Sequence, residues 1–188
     1  MSYLVNRGLL KGNSYVIVGF PKCGTQSLMK YLHKNGIDCL SREAWIFMGQ
    51  QGIEYYKKHC SNYAPIIVTR NPVERAWSDY WHTIQLNKDI GLTETTRKKL
   101  LEKVSRSSFY DKNIHLWNKL SPIMLRFESL LEQKDFPQEN KTEFKEKLDV
   151  PTINIIKGYL KEERENFLSK KADEEDNGTN PSNKEKDT

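Results

Sequence analysis

The sequence predicts an α/β domain in which a parallel sheet is flanked by helices in three layers. Three observations point there. Ser14–Phe20 (SYVIVGF), Pro65–Thr69 (PIIVT) and Ile123–Arg126 (IMLR) are short apolar runs, β-branched in the first two, as expected of strands buried on both faces. The stretches between them carry apolar residues at helical spacing, so strand and helix alternate. The 188 residues suit one domain and leave little room for a second.

The elements follow in order. Ser14–Phe20 is bounded by Gly12-Asn13 and by Pro21, and Pro21–Gly24 forms a turn. Thr25–Asn35 places Leu28, Met29 and Leu32 on one helix face, with Gly36 as the stop. Ile37–Leu40 is a short second strand and Ile53–His59 a helix. The PIIVT strand runs into Arg70-Asn71-Pro72, and a helix over Val73–Gln85 begins just after that proline. Thr93–Val104 and Asp111–Leu120 are helical, Ile123–Arg126 is a core strand, and Thr142–Leu148 and Ile155–Leu168 are again helical.

Composition divides the chain. Residues 171–188 contain no apolar side chain larger than alanine and hold three of the 30 bases and six of the 25 acids. The remaining 1–170, read as the compact domain, carry 27 bases against 19 acids, so a net charge of +5 becomes +8. The tail has the composition of a disordered segment. The basic excess suggests an anionic partner. Nucleic acid is not expected, since neither a basic recognition helix nor an exposed stacking sheet is apparent. No run of about 18 apolar residues exists, and Met1–Gly12 does not read as a secretory signal, so a soluble cytoplasmic protein with no membrane partner is expected. Cys23, Cys39 and Cys60 are odd in number and lack metal-ligand spacing, so neither a disulfide framework nor a metal is expected.

Two constellations carry chemistry. Residues 19–27 read GFPKCGTQS between a buried strand and a helix. Free backbone N–H groups converge at such a helix start, where the helix dipole favours an anion. Gly19 and Gly24 match the glycines of the ATP-binding pattern GxxxxGK[ST], but Thr25 stands where its lysine belongs and the lysine is Lys22, inside the loop. An ordinary ATP or GTP loop is therefore disfavoured; a plain β–α turn with a surface lysine is the other reading. In residues 66–80, IIVTRNPVERAWSDY, an arginine ends a strand and a serine follows eight residues later. Arg70 can present a two-pronged donor to a phosphate and Ser78 can add a hydroxyl. Trp77 and Tyr80 read as inward-packed helix residues.

These residues resemble a family, the sulfotransferases that use 3′-phosphoadenosine 5′-phosphosulfate (PAPS). PKCGTQSL is similar to their 5′-phosphosulfate loop, and Arg70, Asn71-Pro72 and Ser78 to their 3′-phosphate motif. A weaker similarity runs through Tyr110, Trp117, Ile123–Leu125 and Phe127-Glu128-Ser129-Leu130. The resemblance covers Ser14 to Leu131 and implies a P-loop-like sulfotransferase fold. It implies that Lys22 contacts the bridging oxygen and the sulfuryl group. The amides of Cys23, Gly24, Thr25, Gln26 and Ser27, with the Thr25 and Ser27 side chains, would hold the 5′-phosphate, and Arg70 and Ser78 the 3′-phosphate. Arg75 would be a third cation near the nucleotide. Cys23 reads as packing, not as a nucleophile. Glu43, after the second strand, matches the place of the family's general base, with His82 and His33 as rivals; an ion pair with Arg42 is the plainer reading of Glu43. The implied product is 3′,5′-diphosphoadenosine, and the acceptor is a glycan, a peptide or a small hydroxyl compound. Trp45 and Met48 imply an apolar wall beside it. The family's C-terminal adenine-closing loop has only Ile156-Lys157-Gly158-Tyr159 as an echo, and Lys161–Arg164 reads as an exposed helix with internal charge pairs. Two other functions stand beside this one: a small-molecule kinase, which lacks a Mg²⁺-binding carboxylate after PIIVT, and a non-catalytic nucleotide- or anion-binding module of the same fold.

Overall fold

The computed structural model describes residues 10, 14–87, 91–133, 135–137 and 146–178, with side chains as far as Ala172. Four strands, β1 (Ser14–Ile17), β2 (Asp38–Ser41), β3 (Ala64–Thr69) and β4 (Ile123–Arg126), form one all-parallel sheet in the order β2-β1-β3-β4. Ser14 lies opposite Asp38, Tyr15 opposite Ala64 and Ile66 opposite Ile123. Val16, Ile17, Ile66, Ile67 and Val68 are all fully buried. Consecutive burial requires apolar residues on both faces of a strand, which is why these segments read as unbroken runs.

β1 is shorter than its apolar run. Val18 N–H still donates to the Ile66 carbonyl at 2.8 Å, and the chain then leaves the ladder. At Gly19 it passes so close to the following helix that a Cβ would lie 2.9 Å from Thr25 Cγ2.

Helices fill the crossovers. α1 (Thr25–Lys34) joins β1 to β2. A 3₁₀ helix (Glu43–Met48) and α2 (Gln50–His59) join β2 to β3. α3 (Pro72–Leu86), α4 (Glu94–Ser107) and α5 (Asp111–Trp117), the last extended by a 3₁₀ turn at Asn118–Leu120, join β3 to β4. α6 (Phe127–Leu131) and α7 (Val150–Gly178) follow. The step from β1 to β2 runs one way along the sheet and the step from β2 to β3 the other way. Right-handed crossovers therefore assign α1 and α2 to opposite faces. The ring contacts divide accordingly: Tyr56 of α2 meets Trp117 of α5 with centroids 5.9 Å apart, whereas Tyr31 of α1 meets Phe136 at 5.5 Å. A satellite cluster of Trp77, Tyr80 and Trp81 packs α3 against Leu100 and Leu101 of α4. Trp77 and Tyr80 thus point inward, stacked at 5.4 Å.

α7 is much longer than the periodicity over Ile155–Leu168 predicts. Ile156 is its fully buried anchor. Beyond it, Arg106 of α4 reaches Glu162 at 2.7 Å and Glu163 at 3.3 Å, and Lys112 of α5 reaches Glu163 at 3.0 Å. The expected pairing within the helix is present at Lys161–Glu165, 3.7 Å, but the shorter contacts run to neighbouring helices. Each such exposed pair contributes roughly 0–1 kcal/mol, so Ile156 matters more than any one of them. α7 carries the helix past Lys171, where composition places the start of the tail; residues 179–188 lie outside the described residues. Of the helix predicted over Thr142–Leu148, residues 142–145 also lie outside them, and Glu146–Leu148 is irregular. Among the described residues, no helix is long and apolar enough to cross a membrane.

Candidate functional site

The strand order reverses at β1, which has β2 on one side and β3 on the other. In open parallel sheets the crevice beyond the carboxyl ends of the strands at such a reversal is where ligands bind. The segment following β1, Gly19–Gly24, and the residue following β3, Arg70, both emerge there.

Lys22 takes φ 64° and Gly24 φ 79°, so the loop turns twice through the left-handed region before α1 begins. Gly24 occupies the N-cap position and, having no side chain, caps nothing. The start of α3, by contrast, is closed by Asn71 Oδ1, which accepts from Val73 N–H at 3.0 Å and Glu74 N–H at 3.4 Å. The first amides of a helix lack intrahelical partners and carry its positive end. At α1 the N-cap residue supplies no such side-chain bond.

The loop is packed from below by residues far along the chain. A Cβ on Gly24 would lie 2.2 Å from Phe127 Cε2. Gly24→Ala is therefore expected to lower the unfolding free energy by about 2–3 kcal/mol, combining left-handed strain and overpacking. Gly36 has nearly the same φ, 72°, and open space at its Cβ. Gly36→Ala isolates the strain alone, and urea unfolding that gave equal losses for the two variants would contradict the Phe127 contact. Cys23 is buried, its thiol 3.4 Å from the Tyr110 hydroxyl. Burial, above all, pushes the thiol up to about 11. At neutral pH that is a packing residue holding α5 to the loop.

Arg70 reaches the loop from the end of β3. Its Nη1 donates to the Lys22 carbonyl at 3.3 Å, which pins the strained Lys22 peptide. Its guanidinium lies 5.3 Å from the centre of the Phe127 ring, and Nη2 meets the half-exposed Glu74 carboxylate at 3.4 Å. The Nε–H is buried and has no hydrogen-bond partner among the described residues. Asn71 N–H donates to Glu128 Oε1 at 2.6 Å, so α6 fixes the turn that carries Arg70 into α3. Ser78 is buried on α3, two turns past the Asn71 cap.

Glu43 opens the 3₁₀ helix after β2. Its Oε1 accepts from the Thr25 hydroxyl and, at 3.4 Å, from Gln26 Nε2. The structure thus brings Glu43, Thr25 and Gln26 together, while Arg42 turns its Nη1 to the Ser41 carbonyl. Lys22 is half-buried, and burial lowers its ammonium below the ordinary value. The Asp79 and Glu43 carboxylates oppose that shift and Arg70 adds to it. His82 on α3 is lowered first by burial and then by the Lys22 charge, so it belongs to the same group. His33 is exposed at the far end of α1, its Nε2 2.9 Å from the Cys39 carbonyl in β2.

Arg75 differs from the sequence reading. It is 1% exposed, and its donors are directed at protein groups rather than into the crevice. Nε donates to the Pro21 carbonyl at 3.1 Å, and Nη1 to Ser107 Oγ at 3.0 Å and Ser108 Oγ at 2.8 Å. Nη2 pairs with Asp79 Oδ2 at 3.2 Å. Asp79 itself was not a candidate from sequence, because an aspartate between a serine and a tyrosine on an amphipathic helix reads as surface charge. Its i,i+4 spacing from Arg75 was the one available signal.

Chemically, the arrangement offers uncapped amides, an ammonium and a guanidinium for an anion, with a carboxylate one hydroxyl away from the loop. No known protein family matches this chain, and comparison with curated proteins found no relative.

Proposed function

We propose that the chain is a PAPS-dependent sulfotransferase acting on a hydroxyl or amine of a glycan, a peptide or a small compound. The observation that carries this reading is the pairing of the uncapped α1 start beside Lys22 with a strand-end arginine whose buried Nε–H lacks a partner. These residues fit a nucleotide with phosphates at both ends. The loop amides and Ser27 would hold the 5′-phosphate, and Arg70 and Ser78 the 3′-phosphate. The Thr25 hydroxyl, which donates its single proton to Glu43, would turn it to the phosphate when the nucleotide binds. In the transfer, the acceptor oxygen forms a bond to sulfur as the sulfur–oxygen bond to the 5′-phosphate breaks. Glu43 takes the acceptor proton, and Lys22 meets the charge left on the phosphate. The 3₁₀ helix carrying Glu43 also presents Phe47, 42% exposed and edge-on to Phe20 at 5.4 Å, which supports an apolar wall on the acceptor side.

Calorimetry with 3′,5′-diphosphoadenosine against ADP plus Mg²⁺ tests the reading. Tighter binding of the diphosphate, without metal, is expected. Equal or tighter binding of Mg²⁺–ADP points instead to the kinase. Arg70→Ala is expected to weaken diphosphoadenosine binding by about 1.5–3 kcal/mol, the scale of a hydrogen bond to a charged group. An unchanged affinity would remove Arg70 from the 3′-phosphate site.

A further inference from the structure

We propose that Glu128 is the positioning residue of Arg70 and acts through the Asn71 peptide. The inference deepens the proposed function, since it rests on Arg70 being the 3′-phosphate ligand of that reading. The register of β3 with β4 ends at Thr69 opposite Arg126, so Arg70 lies beyond the ladder. The next peptide is held from another element: Asn71 N–H donates to Glu128 Oε1 at 2.6 Å. A peptide unit is planar, so fixing that N–H also fixes the Arg70 carbonyl and restrains the backbone from which the side chain departs. The far side of Asn71 is fixed as well, because its Oδ1 caps the Val73 and Glu74 amides at the start of α3. Phe127 precedes Glu128 and holds the other end of the arginine, its ring centre 5.3 Å from the guanidinium carbon. That ring is also the one a Cβ at Gly24 would strike. Two adjacent residues of α6 thus meet the backbone end of Arg70, its guanidinium and the Gly19–Gly24 loop.

The hydrogen bonds Arg70 makes for itself are longer. Nη1 meets the Lys22 carbonyl at 3.3 Å and Nη2 the Glu74 carboxylate at 3.4 Å, against about 2.9–3.0 Å for an ordinary N–H to oxygen bond. Its Nε–H has no partner among the described residues. The short bond in this region is the one Glu128 makes, and a charged acceptor makes it a strong one. That bond has a cost. The second carboxylate oxygen, Oε2, is buried without a hydrogen-bond partner among the described residues. A buried charged oxygen left unpaired is unfavourable, and a neutral acceptor could bridge α6 to the turn without that penalty. What the carboxylate adds is a tighter hold on the peptide that carries Arg70. Glu128 acts through Asn71 and, in the proposed reading, touches no atom of the nucleotide.

The test reads Arg70 directly. Its Nε–H signal is followed by nuclear magnetic resonance of ¹⁵N-labelled protein and assigned by its loss in Arg70→Lys. In Glu128→Ala the signal shifts and exchanges faster with water, as does the Asn71 amide. Glu128→Asp, a milder change that withdraws the carboxylate by one methylene, moves both signals the same way and keeps the measurement open where the alanine does not fold. Glu128→Gln, which keeps an acceptor at full reach, returns both toward wild type. Affinity for 3′,5′-diphosphoadenosine falls about tenfold in Glu128→Ala, the lower end for a hydrogen bond to a charged group, while affinity for adenosine 5′-phosphate, which has no 3′-phosphate, holds. Combined with Arg70→Ala, the Glu128 substitution gives no further loss. An Arg70 signal that stays in place in a folded alanine or aspartate variant overturns the inference, whatever binding shows. An equal loss of both nucleotides also overturns it, because that is a general weakening of the fold. A signal that moves while no form, wild type included, binds diphosphoadenosine upholds the positioning and removes the cofactor reading.

Discussion

Arg75→Ala lowers the unfolding free energy by about 3–5 kcal/mol, the cost of breaking a buried ion pair by deleting one partner. The guanidinium is fully enclosed and serves four acceptors from three parts of the chain: Pro21 in the loop, Asp79 in α3, and Ser107 and Ser108 where α4 ends. The alanine leaves the Pro21 carbonyl and the Asp79 carboxylate without their donor, and it leaves space against Phe20, whose ring centre lies 6.0 Å from the guanidinium carbon. Lysine is no substitute, because a single ammonium cannot span the fork. Domains of this kind have total stabilities of roughly 5–15 kcal/mol, so the variant stands near the edge of folding. Urea unfolding measures the loss. A value within about 0.5 kcal/mol of wild type, the range of a surface substitution, would mean that Arg75 is solvated after all.

Lys22→Met removes the cation of the site while keeping much of the apolar stem. Under the proposed function, sulfuryl transfer is expected to fall by about 10²–10³-fold, the scale for deleting one preorganised charge-stabilising donor. Release of labelled diphosphoadenosine from PAPS, with pooled phenols, glycans and tyrosine peptides as acceptors, gives the readout. A variant retaining more than about a tenth of the wild-type rate contradicts the role, since a single hydrogen bond of ordinary strength already accounts for such a loss. In the proposed reaction the ammonium form is the active one, and burial lowers its pKa from 10.5. Activity that depends on Lys22 is therefore complete below the lowered value and lost as pH rises through it. The alkaline limb accordingly lies below that of an ordinary lysine.

Most of the sheet was legible. YVI in β1 and PIIV in β3 are apolar because both faces are covered, and that condition leaves a local trace. β2, with the residues DCLS, is an edge strand bearing polar residues, and its bounds shifted by one. The loop and Arg70 were legible because backbone turns and strand ends are local features. What the residues around Arg75 do was not. A charged residue on a helix reads as solvent-facing, and only the three-dimensional approach of Pro21 and Ser108 makes Arg75 a core residue. The contact of Phe127 with Gly24 spans 103 residues and leaves no local signal at either end. The extension of α7 past Leu168 left no such trace, because residues 169–178 carry no apolar side chain larger than alanine and so no helical period.

The all-parallel sheet has a kinetic consequence. No strand neighbours another by a hairpin, and β3 meets β4 across 57 residues, as in the pairing of Ile66 with Ile123. Pairings of such long range incur loop-closure entropy before any contact compensates for it, which makes them slow. Phe127 and Glu128 follow β4 directly, so the support under Gly24 and the clasp on Asn71 arrive only with that last strand. During refolding, the Gly19–Gly24 loop matures at the end, and a nascent chain that has not yet presented β4 has the loop's residues without its shape.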